Sequence, residues 1–330
     1  MERILMLRQR MKSFYNQYDL YFLPLMKFIV MFTVLILLNR NLGYMGILTK
    51  WTVVLIIALL CSLLPWSVGA FAAACCLLGH LYALSWEAAV LALIFIFLAA
   101  MLHYIFLPGY SIVIVLIPAA YFLHIPYLVP LVLGLVGGVT SFIPAGLGVF
   151  FYYFIVCIQK NAAFLAEATA EQSDILLCFT QILSGLLEND LMILSILAFC
   201  VTVLLVYGIS KLSMDYAPYI AVAAGAIVNI FIFLVGGFVA NVTVPYVEVF
   251  VAGLISLGIA VIVLFWIVAL DYSRTEYLQY EDDDYVYFVK AVPKIAVTEP
   301  ERKIKEINSR VDDEDADIEE LLETLEKENR

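Results

Sequence analysis

Tyr127 to Tyr153 reads YLVPLVLGLVGGVTSFIPAGLGVFFYY. The stretch is apolar enough for a bilayer, yet it holds Pro130, Pro144 and the glycines Gly134, Gly137, Gly138, Gly146 and Gly148. Proline removes a backbone donor and glycine weakens a helix. The run therefore predicts a discontinuous helix whose freed backbone groups face a cavity. Two counts stay open: two short spans at 126–143 and 145–159, or one kinked span with a re-entrant piece. Gly134 and Gly138 also form a Gly-x-x-x-Gly pair, which lets helices approach closely. Tight packing around a kink, with Gly137 and Pro144 as further hinge positions, is the plainer reading.

Working outward, a spanning helix needs ~20 mostly apolar residues. Candidate spans lie near 22–38, 48–64, 66–84, 86–107, 110–124, 126–143, 145–159, 190–209, 217–240 and 246–270. Lys27 sits close enough to the end of the first to snorkel. Asn39-Arg40-Asn41 follow that span without a small-residue cleavage site, so it is read as a span and not a signal peptide. Pro65, Pro108, Pro126, Pro144, Pro218 and Pro245 mark the joints. Trp51, Trp66, Trp86, Tyr110, Tyr127 and Tyr246 form the interfacial belt. Charge bias favours ten spans. Arg3, Arg8, Arg10, Lys12, Lys211, Arg274 and Lys290 then lie inside, against Arg40, Lys50 and Lys160 outside. Nine spans would divide the same charges evenly. Both termini are expected in the cytoplasm.

The whole chain agrees with that reading. Of 330 residues, 64% are apolar and only 14% charged, against ~25% in a soluble domain. Mean hydropathy is +1.00. These values exclude a water-soluble enzyme, a disordered chain and a nucleic-acid binder. The net charge of −11 belongs to the tail: residues 271–330 carry nine basic and nineteen acidic side chains. The expected fold is an all-α polytopic membrane helix bundle over 1–270 with a small, acidic, cytoplasmic α/β tail over 271–330. Cys61, Cys75, Cys76, Cys157, Cys178 and Cys200 lack metal or redox spacing and read as small hydrophobes.

Residues 160–189 are too polar to cross. Ile175, Phe179, Ile182 and Leu186 recur at helical spacing, with Leu176, Leu183 and Leu187 alongside, so 175–187 is an amphipathic helix. It lacks the basic face of a helix attracted to anionic lipid. It covers the bundle, or serves as a lid or partner-docking element.

Chemistry is sparse. Acidic residues stay at span ends, and no nucleophile, zinc or phosphate-loop motif occurs. His80, Glu87 and His124 fall near one end of their spans and His103 near the other, so a three-histidine metal site is not expected, nor is a cofactor. An outer His80–Glu87–His124 cluster is weighed against interfacial polar residues facing water. Leu135-Val136-Gly137-Gly138 is echoed by Leu234-Val235-Gly236-Gly237, each followed by a proline, Pro144 and Pro245. Three spans apart, such an echo is either chance or an inverted repeat. The polar candidates for a substrate are Thr140, Ser141 and Asn229, the last a carboxamide near mid-span whose plainer role is an interhelical hydrogen bond.

In the tail, Tyr- and Val-rich runs around Glu281-Asp282-Asp283-Asp284 predict a hairpin at 275–292. Helices follow at 301–310 and 312–328, the second with the stripe Ile318, Leu321, Leu322 and Leu325. That stripe, with Tyr285 and Tyr287, is the candidate docking surface for a cytosolic protein. Arg274-Thr275-Glu276 and Tyr280–Lys294 resemble the juxtamembrane tail of uncharacterised polytopic membrane proteins of anaerobic Gram-positive bacteria. The resemblance implies a bacterial plasma membrane and no particular activity. The leading expectation is a non-enzymatic component of an envelope or transport assembly whose tail docks a cytosolic partner. The alternatives are a permease for a small neutral or lipidic substrate using 127–153, and an intramembrane enzyme.

Overall fold

The computed structural model describes residues 18–106, 109–171, 175–214, 216–240, 242–268, 276–281 and 286–291. The helices are α1 (Asp19–Asn41), α2 (Trp51–Leu63), α3 (Trp66–Leu84), α4 (Trp86–Phe106), α5 (Ser111–Phe122), α6 (Leu128–Val136), α7 (Phe142–Lys160), α8 (Ala162–Glu171), α9 (Ile175–Leu187), α10 (Asp190–Ser210), α11 (Ala217–Val239) and α12 (Tyr246–Val268). A 3₁₀ turn, Val139–Ser141, precedes α7. Among the described residues, six helices are long and apolar enough to cross a membrane: α1, α3, α7 with its 3₁₀ turn, α10, α11 and α12. The chain is an all-α membrane-type bundle.

Contacts at the helix ends set the directions. Lys27 Nζ donates to the Leu64 carbonyl (3.1 Å) at one end of α1, and Asn39 Nδ2 to the Leu48 carbonyl (2.7 Å) at the other. Thus α1 and α2 run antiparallel, and α3 returns alongside α1, with Met31 against Gly69. In the other half, α10, α11 and α12 zigzag: Asn229 meets Thr202, and Tyr246 meets Gly237. Both outer ends of the bundle, the start of α1 and the finish of α12, emerge at the same end. That end, marked by Lys27 and Leu64, is called the near end below.

The core centres on α7. Sixty-one per cent of its apolar window is buried, against 17% for α1. Phe154, Ile158 and Val149 are fully buried there, with Phe199 and Ala198 of α10 and Ile117 of α5. α7 can sit so deeply because Gly148 leaves room for Ile117.

The decisive stretch departs from expectation. Instead of spans at 110–124 and 126–143, the chain forms two short helices, α5 and α6, about 18 Å and 14 Å long at about 1.5 Å per residue. α5 starts beside Ser67 at the near end, where Ser111 Oγ donates to Ser67 Oγ (3.4 Å). It stops at Phe122, whose ring packs on Tyr152 in the middle of α7. The chain then turns at His124, in the left-handed region at φ 58°. α6 comes back to the near end, where the Tyr110 hydroxyl donates to the Val136 carbonyl (3.5 Å). The pair is a helical hairpin that enters and leaves at one end.

The break that follows lies at Gly137 and Gly138, both extended, and not at Pro144. Pro144 stands in the first turn of α7, where its missing N–H would have had no partner anyway. A single helix, Phe142–Lys160, replaces the end of one expected span and the whole of the next.

Ser85 takes the capping position before α4, its Oγ accepting from Ala88 N (3.4 Å) and donating to Glu87. The segment expected not to cross forms α8 and α9. α9 turns Cys178, Ile182 and Leu186 onto the bundle and leaves Leu176, Leu183 and Leu187 exposed. The tail is a separate unit. In it β1 (Glu276–Glu281) and β2 (Val286–Ala291) pair antiparallel, Glu276 opposite Ala291 and Tyr280 opposite Tyr287. The expected helices at 301–310 and 312–328, and Tyr285, Ile318, Leu321, Leu322 and Leu325, lie outside the described residues.

Candidate functional site

The hairpin has two faces, and each builds something. On the face toward α7, α10 and α11 its rings interlock. Tyr121 stacks on Tyr152 (4.1 Å between centroids) and on Phe199 (5.7 Å). Tyr127 meets Phe199 and Phe233 edge-on. Offset and edge-to-face pairs of this kind add ~0.5–1.5 kcal/mol each beyond their burial.

The polar atoms inside this nest follow from donor counting. Ser195 Oγ donates its one proton to the Leu191 carbonyl (2.7 Å), so at 2.9 Å the Tyr153 hydroxyl must donate to Ser195. Likewise Thr202 donates to the Ala198 carbonyl (2.7 Å), and Asn229 Nδ2 donates to Thr202 Oγ1 (3.0 Å). The sum leaves two buried groups unpartnered, the Tyr121 hydroxyl and Asn229 Oδ1. One is a donor and the other an acceptor.

On the opposite face α5 borders an apolar crevice of about 430 Å³. Its walls come from α1, α3, α4, α5 and α7, and small side chains such as Ala70, Ala74, Ala99 and Ala119 leave the space. Phe122 and Ile155 bound it at depth, and Ser67 and Ser111 are the polar lining residues, both at the near end. Ligand pockets commonly occupy ~300–1,000 Å³ with mostly apolar walls and a few placed polar groups. Close-packed interiors otherwise leave no void of that size.

No family model matches the chain, and no curated protein or solved structure matches it either. What the arrangement does must be argued from its own residues.

The sequence-derived candidates do not converge. Thr140 is exposed at the start of α7, whereas Ser141 is buried with its hydroxyl unpartnered. Asn229 lies elsewhere, paired with Thr202 of α10. The glycines act in packing. A Cβ on Gly134 would stand 2.7 Å from Val206 Cβ and 2.9 Å from the Val203 carbonyl. On Gly137 it would strike Ser141 Oγ. Gly236 accommodates Leu194 and Gly237 accommodates Tyr246, while Gly138 has open space around it. The two Gly-Gly echoes are not structural equivalents, since Gly137 terminates α6 and Gly236-Gly237 continue α11.

The histidines part company as well. His80 is fully buried; Met45 N donates to its Nδ1 (3.2 Å) and its Nε2 faces Asn39 Oδ1 at 2.7 Å. A ring nitrogen that accepts from a backbone N–H is unprotonated, so His80 is the neutral tautomer with its proton on Nε2. It clamps the loop between α1 and α2, where burial also pushes the Tyr44 hydroxyl up. Glu87 is buried and bonded to Ser85, and His124 is exposed at the hairpin turn. Among the described residues no three metal-ligating side chains gather.

Sequence reasoning missed the crevice and Thr202. Of the alanines that open the crevice, Ala70 and Ala74 share a face of α3, but Ala99 and Ala119 come from α4 and α5, so no single segment carries the pattern. Thr202 was findable, as a hydroxyl in an apolar run at the same depth as Asn229.

Proposed function

We propose that this chain is an integral component of a bacterial plasma membrane that binds and moves a lipidic substrate, holding its apolar chain in the crevice beside α5. The crevice carries this reading: it is the size of a ligand site, walled by apolar side chains and flanked by a helix that stops half-way. Discontinuous helices at membrane depth are tolerated where protein buries them or a cavity adjoins, and α5–α6 meets both conditions. In this reading the six long helices cross, together with α4 and with α2, whose flanking residues Leu48 and Leu64 lie at opposite ends of the bundle. The hairpin does not, so eight crossings replace the ten the sequence suggested. A hairpin contributes two crossings or none, so the even count that puts both termini in the cytoplasm is unaffected.

The experiment is lipid retention and movement. The purified chain is expected to carry bound lipid into mild detergent, and Ala74→Phe or Ala99→Phe to lose it by filling the space. In vesicles, the wild type moves a fluorescent short-chain lipid between leaflets and the filled variants do not. Equal retention and movement by wild type and filled variants would overturn the proposal.

A second reading rests on the tail. A two-stranded hairpin is marginal alone in water, and here Phe288 is 80% exposed. Exposed strand edges and apolar side chains invite pairing with another protein. The tail would then dock the bundle to a cytosolic partner within a larger assembly. Deleting 271–330 should remove one specific protein from the purified complex while the bundle still inserts. An unchanged partner list would count against it.

A further inference from the structure

We propose that the lipid in the crevice bears an anionic headgroup, seated at the near end against Lys27, Ser67 and Ser111. This inference rests on the lipidic reading of the same crevice and adds the charge of the substrate.

Helical spacing links Lys27 to the crevice. Residues separated by seven and eleven positions share a helix face, and Lys27, Val34 and Leu38 have that spacing. Val34 and Leu38 line the crevice. Lys27 therefore stands on the lining face of α1, about 10 Å nearer the near end than Val34 at about 1.5 Å per residue. The contacts agree. Its ammonium donates to the Leu64 carbonyl (3.1 Å) and lies 5.7 Å from the centre of the Trp66 ring, one residue before Ser67.

The donor set fits an anion. An ammonium has three donors, and the Leu64 carbonyl takes one. Ser111 donates its one proton to Ser67 (3.4 Å), which leaves the Ser67 hydroxyl as the further donor on the crevice wall. No acidic residue lines the crevice. Lys27 lies close enough to the span end to reach the interface, the depth at which a lipid phosphate sits. The chain below the headgroup then has about 17 Å of depth between Ser111 and Phe122 at the same rise. Capping of α2 by Lys27 uses one donor and leaves the others for the headgroup.

The test compares phosphatidylglycerol with phosphatidylcholine of identical chains. Each is incubated with the full chain in detergent, and the lipid retained after gel filtration is measured by mass spectrometry. The wild type should retain at least tenfold more phosphatidylglycerol. Lys27→Met should level the two lipids, Lys27→Arg should keep the preference, and Ala99→Phe should lose both. Excess inorganic phosphate should not displace the lipid. Equal retention of both lipids by the wild type, lost in Ala99→Phe, would overturn the headgroup assignment and leave the lipidic reading standing. Displacement by inorganic phosphate would also overturn it, because the site would then be one for a free ion. Full retention by Ala99→Phe would overturn both.

Discussion

On one side of the α5–α6 hairpin, Tyr121, Tyr127, Tyr152, Phe199 and Phe233 stack and meet edge-on between helices. On the other, Ala70, Ala74, Ala99 and Ala119 leave about 430 Å³ open. The same short helix borders both regions, and both lie between helices of similar hydropathy. The contrast is one of side-chain volume. Rings meeting rings make a rigid seat that holds the hairpin at its depth. Small side chains leave the space beside α5 unfilled, with Phe122 closing it at depth rather than filling it. In water such an apolar void would favour collapse; in a bilayer a lipid chain can occupy it. In the proposed function the packed face fixes the geometry and the open face holds the lipid.

Substitutions can break or sharpen that contrast. The largest effect is expected where the hairpin is seated. Gly134→Leu drives a side chain into Val206 and the Val203 carbonyl. Overpacking costs ~1–3 kcal/mol, and backbone that cannot yield raises it, so this variant should melt earliest and elute as aggregate in gel filtration. Gly138→Leu, which meets open space, should behave like the wild type in the same assay.

Next come two matched tyrosines. Tyr153→Phe removes the donor to Ser195 and should lower stability by ~0.5–1.5 kcal/mol, the usual worth of such a bond. Tyr121→Phe removes a buried hydroxyl without a partner and should leave the melting temperature unchanged or raise it. If both variants lose the same stability, the donor assignment inside the nest is wrong.

Asn229→Leu should be smaller still. Interhelical hydrogen bonds in membranes average ~0.6 kcal/mol, and the change also removes the unpartnered Oδ1. Near-neutral stability is expected, read by thermal unfolding in detergent. Lipid movement should persist, because Asn229 belongs to the packed face. Smallest of all, Ala99→Phe should leave the unfolding temperature almost unmoved while lipid is lost, the reverse of Gly134→Leu.

Much of this was legible in the residues. The Gly- and Pro-rich run announced an interrupted helix, and 175–187 announced an amphipathic one. Hydropathy could not say how deep 110–124 and 126–143 go, because an apolar segment buried by protein and one bathed in lipid have the same composition. The left-handed turn at His124 was hidden for another reason: histidine enters that conformation more readily than most residues, but still too seldom for its presence to mark a turn. Pro144 looked like the break because proline stops helices, but in a first turn it has no bond to remove. At the site, Asn229 stood out as a lone carboxamide, while the crevice stayed invisible because a void is a relation among five helices and not a property of any segment. His80 looked like a possible ligand until its two ring nitrogens were seen to be occupied.

The account depends most on the depth of the hairpin. A thiol at its tip, His124→Cys with Cys75→Ser, can be offered a membrane-impermeant maleimide from each side of sealed vesicles in turn, with Asn161→Cys as reference. A hairpin that stops inside the membrane leaves the tip unlabelled from both sides, while Asn161→Cys reacts from one. Labelling of the tip from the same side and to the same extent as Asn161→Cys would show that α5 and α6 cross, and would contradict the account.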